Sequence, residues 1–147
     1  MSAYRTVVVG TDGSDSSLRA VEKAGSIAGA DAKLIVATAY LPQHEDARAA
    51  DALKDESYKV SGSAPVYAIL REAKERAAAA GAANIEERSV VGAPVDALVG
   101  LAEEVNADLL VVGNVGLSTI AGRLLGSVPA NVSRRAKVDV LIVHTTT

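Results

Sequence analysis

Apolar residues along this chain follow two periods. Five short strand-like runs stand out for their Val, Ile or Leu: residues 6–9, 33–39, 86–91, 108–112 and 138–144. Runs of that length and β-branched content predict strands. Between them, apolar residues recur every three or four positions, which predicts helices. Leu18, Val21, Ala24 and Ala28 form one such stripe. Val66, Ile69, Leu70, Ala73, Ala77 and Ala80 form a second, which stops at Gly81. Leu98, Leu101, Ala102 and Val105 form a third, opened by Pro94 near its first turn. A fourth helix is expected to start at Ser127, a good N-cap residue, with Pro129 tolerated in its first turn.

Strands that alternate with helices imply right-handed crossovers. The fold class expected is α/β: a doubly wound, Rossmann-like, five-stranded parallel sheet with helices on both faces. The continuous apolar runs of the first, fourth and fifth strands suit burial on both faces. Ligands of such sheets sit beyond the carboxyl ends of the strands, where the strand order reverses. In this topology the first strand is expected beside the fourth. The 147 residues fit one domain, 1–147, long enough to bury a real core. Residues 41–64 break the pattern, being long, polar and charged. A short helix near 47–53 and then a loop are expected there, either a binding loop or a solvated excursion. Residues 145–147 read as a short tail.

Composition removes several function classes. Hydrophobic residues make up 49%, which argues against disorder. There is no Phe or Trp, and the aromatics are Tyr4, Tyr40, Tyr58 and Tyr67, so stacking platforms for single-stranded nucleic acid are nearly absent. A net charge of −3 gives no general attraction to nucleic acid or an anionic membrane. The absence of cysteine excludes disulfides, thiolate chemistry and cysteine zinc sites. The first residues lack the long apolar stretch of a signal peptide, and no apolar run is long enough to cross a bilayer. The expectation is a soluble, cytoplasmic protein with no nucleic-acid or membrane partner.

The chemistry concentrates in residues 108–128. An apolar run ends at Gly113, Gly116 follows after two residues, and Gly126-Ser127 after nine more. Glycine serves where the backbone takes positive φ or comes close to a ligand. A helix N-terminus holds anions with its free N–H groups and needs no basic side chain. A phosphate-bearing ligand fits this strand–loop–helix pattern; the same glycines also fit a turn with no ligand. The loop is not a Walker A loop, because the Gly-Lys step is missing, nor has it the close G-x-G-x-x-G spacing. Without that lysine it lacks the usual stabiliser of phosphoryl-transfer charge, so binding without fast hydrolysis is expected.

A second motif, Gly10-Thr11-Asp12-Gly13-Ser14, closes the first strand and lies across the expected crevice. Asp12 there suits a ribose hydroxyl or a Mg²⁺ ion carried by the ligand. It equally suits an Asx-type turn, with Asp12 or Ser14 capping the first helix. No Asp, Glu or His cluster about His44 or His144 has metal-ligand spacing, and Ser14, Ser16, Ser17 and Ser127 have no evident base. Arg134, Arg135 and Lys137 read as a solvated helix end.

With these residues in place, the chain resembles the universal stress protein family over essentially its whole length. The matching residues are Asp12-Gly13-Ser14, Val91-Gly92-x-Pro94, Gly113-x2-Gly116-x9-Gly126-Ser127, Leu124 through Val128, and the closing strand at 140–143. The full glycine signature is similar to that of the ATP-binding branch. The resemblance implies that Gly10, Thr11 and Asp12 face the nucleotide, Asp12 meeting ribose or metal. It implies that Ala39 meets adenine through its backbone. It implies that Gly113, Asn114, Val115 and Gly116 pass close to ribose and phosphate, and that Gly126, Ser127 and Val128 hold phosphate. It further implies a homodimer through the last strand, residues 138–143, from which Val138, Val140 and Val143 come.

Asn114, Val115 and Leu117 make the loop neutral where the family often carries polar or basic residues, and Arg123 is its one cation. A cation-poor loop is easier to reconcile with one phosphate charge than with several. The chain resembles small actinobacterial members, which implies cyclic AMP as a ligand beside ATP. The function expected is a nucleotide sensor or reservoir. The alternatives are a slow ATPase or self-phosphorylating protein, with Ser127 or a nearby hydroxyl as acceptor, and a dimeric adaptor whose glycine loop is structural.

Overall fold

The computed structural model describes residues 4–40, 63–114, 132 and 134–145. In chain order the elements are β1 (Thr6–Gly10), α1 (Asp15–Ala28), β2 (Lys33–Tyr40), α2 (Ser63–Ala79), β3 (Asn84–Val91), α3 (Pro94–Glu104), β4 (Leu109–Gly113) and β5 (Asp139–Val143). The five strands form one parallel sheet in the order β3-β2-β1-β4-β5. The expected fold class is therefore the observed one, and β1 does lie beside β4. The expected fourth-helix start at Ser127 and Pro129, Arg123, His44 and the helix near 47–53 lie outside the described residues.

The central strands are apolar on both faces because both faces are covered. Val7 and Val9 of β1 point with Leu34, Val36, Leu109 and Val111 towards α1 and α2, which supply Leu18, Val21, Leu70 and Ala73. Val8, Ile35, Leu110 and Val112 point the other way, against Leu98 and Leu101 of α3 and against Val132. Each fully buried Val, Leu or Ile contributes about 1.5–3 kcal/mol through removal of apolar surface from water. The two helices of the first layer approach closely where α1 has Gly25. A Cβ there would stand 2.7 Å from the Ala77 carbonyl oxygen of α2, so only glycine fits.

Two boundaries differ from the sequence reading. β3 starts two residues earlier than its apolar run, at Asn84, because it is an edge strand whose exposed positions carry polar residues. α2 starts at Ser63, inside the stretch expected to be an excursion. β5 also departs from expectation. It is an edge strand, half-buried along most of its length, with Ile142 42% exposed. Both of its faces meet the core, Leu141 and Val143 on the side of α1 and α2 and Val140 on the side of α3, so its apolar run reflects two faces that are each covered in part.

Candidate functional site

The strand order turns at β1. The connection through α1 leads from β1 to β2 on one side, and the connection through α3 leads to β4 on the other. Sheets of this class bind ligands in a crevice beyond the carboxyl ends of the strands at such a switch point, here those of β1 and β4.

On the β1 side, the turn into α1 is built by side chains. The buried Thr11 donates its amide to the Ala37 carbonyl at 2.9 Å. Its hydroxyl accepts from the Gly13 amide at 3.0 Å and meets the Ser17 hydroxyl at 2.8 Å. The Ser14 amide donates to Asp12 Oδ1 at 2.9 Å, which is an Asx turn. Gly13 supplies the φ of +86° that closes it. Ser14 then caps α1, its hydroxyl accepting from the Ser17 amide at 3.2 Å. The capping alternative is realised, with Ser14 as the cap and Asp12 as the turn residue. Asp12 remains partly exposed at the mouth of the crevice.

Ala39 stands at the next step of the sheet. β1 ends in register with Ala37, whereas β2 continues to Tyr40. The Ala37 carbonyl faces the β1 side, where Thr11 donates to it, and the Tyr40 carbonyl faces β3, where Gly92 donates at 2.7 Å. Backbone groups alternate along a strand, so those of Ala39 face the side on which β1 has already ended.

Across the crevice, Gly113 closes β4 opposite Val143, and Asn114 follows it. Gly113 is buried, and a Cβ built there would meet Ser16 and Thr145 at 3.5 Å, ordinary contact distance. The Asn114 amide donates to the Val143 carbonyl at 2.8 Å. Its side-chain Oδ1 accepts from the Thr145 amide at 2.7 Å and the Thr145 hydroxyl at 2.9 Å. Sequence reasoning placed Asn114 towards a ligand and left Thr145 in a tail. Thr145 is in fact 3% exposed and also bonded to the Ser16 hydroxyl and Arg19. No local pattern marks it, since its partners lie far away in sequence. Val115, Gly116, Gly126, Ser127 and Val128 lie outside the described residues.

Among the described residues, those predicted for the site carry little charge. Gly10, Thr11, Asp12, Ala39, Gly113 and Asn114 bring one carboxylate and no cation. Among the described residues, no group of three His, Cys, Asp or Glu side chains is placed to hold a metal ion. No helix among them is long and apolar enough to cross a membrane. Arg135 forms an ion pair with Asp96 at 2.7 Å, both well exposed, as a solvated helix end requires.

A parallel sheet reversing beside such a turn defines a Rossmann-like, doubly wound α/β protein with its open site at the switch point. Within that class, residues 3–144 match the profile of the universal stress protein family, and the chain belongs to that family. Universal stress protein Rv1636 of Mycobacterium tuberculosis H37Rv is 83% identical over 146 residues, covering 99% of this chain and 100% of the relative. A crystal structure of a universal stress protein in complex with cAMP superposes with a TM-score of 0.76 at 70% identity, covering 99% of this chain and 100% of that one. UspA from Lactobacillus plantarum has the same fold, with a TM-score of 0.76 at 22% identity over 97% of this chain and 99% of its own.

Proposed function

We propose that this protein binds an adenine nucleotide, cyclic AMP and/or ATP, in the crevice beyond β1, β2 and β4, as a sensor or reservoir in stress physiology. The observation that carries this reading is the 70% identical structure, which covers nearly the whole chain and holds cAMP. The local geometry supports it. The Ala39 backbone faces a space the width of one missing strand, where an adenine edge can exchange hydrogen bonds. Asp12 lies at the mouth and suits a ribose hydroxyl, or Mg²⁺ when ATP brings one. Gly10 and Thr11 end the neighbouring strand, and Gly113 ends the strand across the crevice. The signature residues Val115, Gly116, Gly126, Ser127 and Val128 are assigned to the phosphate.

The missing P-loop lysine favours binding over rapid phosphoryl transfer, so the protein acts as a binder and not as a fast enzyme. The cation-poor loop favours the singly charged cyclic phosphate. The same reading takes residues 1–147 as one cytoplasmic domain that forms a homodimer through β5, which covers an otherwise open edge. Calorimetric titration of nucleotide-free protein with cyclic AMP and with ATP, with and without Mg²⁺, tests it. Heat from cyclic AMP that is indifferent to Mg²⁺ is the expected result. No heat and no thermal shift with either nucleotide would leave a structural adaptor instead.

A further inference from the structure

The geometry points to Thr145 as a positioning residue for the nucleotide crevice, acting through Asn114 and Ser16. Thr145 lies directly beyond β5, yet every polar group it owns is engaged at the switch point. Its amide and hydroxyl both reach Asn114 Oδ1, at 2.7 and 2.9 Å. Its hydroxyl also bonds the Ser16 hydroxyl in the first turn of α1, and its carbonyl accepts from Arg19. One buried residue thus ties together the three elements that frame the crevice: the exit of β4, the start of α1 and the exit of β5. The Gly113 backbone is packed between the same two partners, Ser16 and Thr145.

This changes the role of Asn114. An amide oxygen accepting two hydrogen bonds from Thr145 is turned towards β5, so Asn114 serves the ligand by fixing where the chain leaves β4. The spacing between Asp12, which begins the turn into α1, and the β4 exit is held by the path Ser16–Thr145–Asn114. A site that relies on backbone groups tolerates little displacement, because those groups cannot reorient independently. The latch also joins the crevice to the edge strand β5, since Asn114 bonds both Val143 and Thr145.

This inference rests on the nucleotide reading above, and the test separates the two. Thr145→Val keeps the shape and removes the hydroxyl; Thr145→Ser keeps the hydroxyl. Tyr4→Phe removes the hydroxyl that donates to Asp139 at the opposite end of β5, and serves as a control for stability alone. Cyclic AMP affinity by calorimetry, well below each variant's melting temperature, is the readout. Thr145→Val, which loses the hydroxyl's bonds to both Asn114 and Ser16, is expected to bind about five- to tenfold more weakly. Thr145→Ser and Tyr4→Phe are expected to match the wild type. Should Thr145→Val fail to fold, Ser16→Ala removes the side-chain bond from α1 to the Thr145 hydroxyl and is expected to weaken binding in the same direction. Wild-type binding with unchanged affinity in Thr145→Val, or in Ser16→Ala where that stands in, would overturn the positioning role alone. A wild type that binds neither cyclic AMP nor ATP would overturn the nucleotide reading and this role with it.

Discussion

The Ser14 amide donates to Asp12 Oδ1 at 2.9 Å, so the residue facing the crevice also builds the turn that starts α1. These two duties separate by substitution. Asn supports the same Asx turn, so Asp12→Asn is expected to keep the wild-type melting temperature. Asp12→Ala is expected to lose about 1 kcal/mol, the worth of that hydrogen bond. Any strengthening of ATP binding by Mg²⁺ is expected to vanish in both, because neither retains the carboxylate. Thermal melts beside ATP titrations with and without Mg²⁺ check both halves.

Gly25 is needed for a different reason. A Cβ at this position would lie 2.7 Å from the Ala77 oxygen and 3.0 Å from Ala77 Cα, and backbone atoms cannot swing aside. Gly25→Ala is expected to cost about 1–3 kcal/mol by forcing α1 and α2 apart. Urea unfolding measures it. An unchanged midpoint would show that the two helices slide without penalty.

Acid tests the ion pairs across β2 and β3. Glu86 accepts from Lys33 at 2.7 Å and from Arg88 at 3.2 Å, and Arg88 also reaches Glu104 at 2.9 Å. The Lys33 hydrogen bond chiefly holds the Glu86 carboxyl below the ordinary glutamate value; burial opposes it, and the Arg88 hydrogen bond adds a smaller lowering. A depressed folded-state pKa stabilises the fold above the unfolded-state value, and that stability is lost as pH falls through the folded value. Glu86→Gln is therefore expected to narrow the stability difference between neutral pH and pH below the glutamate range. The effect is expected to be small, since the pairs are solvated.

The opposite sign applies at Tyr4. Its hydroxyl donates to Asp139 at 3.1 Å, and that bond, with burial and the carboxylate charge behind it, raises the Tyr4 pKa. The bond is present below the ordinary tyrosine value and is lost as pH rises through the raised one. Titration followed at the Tyr4 ring resonances is expected to place Tyr4 above the ordinary tyrosine value, and Asp139→Asn is expected to bring it back towards that value.

The edge strand gives a prediction about assembly. Ile142 is 42% exposed on β5. Ile142→Glu places a charge in the proposed interface and is expected to convert a dimer into a monomer in sedimentation velocity.

What the sequence revealed follows from burial. Val7, Val8 and Val9 and the run from Leu109 to Val112 are buried on both faces, so their strands appear as unbroken apolar runs. The Asp12-Gly13-Ser14 turn was legible because its chemistry is local. β3 began later in the sequence reading because the polar Asn84, Glu86, Glu87 and Arg88 of this edge strand break its apolar run, and β5, also an edge strand, meets the core on both faces but only in part. Thr145 was invisible: its significance comes from Ser16, 129 residues away, and Asn114, 31 away. Contacts made by tertiary folding leave no periodic trace.

The most direct measurement is an amide nuclear magnetic resonance titration of the nucleotide-free protein with cyclic AMP. The account expects the largest shifts at Thr11, Asp12, Ala39 and Asn114, at the carboxyl ends of β1, β2 and β4, and little change at Thr6, Lys33 and Asp139, at the opposite ends of their strands. Shifts centred on that opposite end, or none at saturating cyclic AMP, would contradict it.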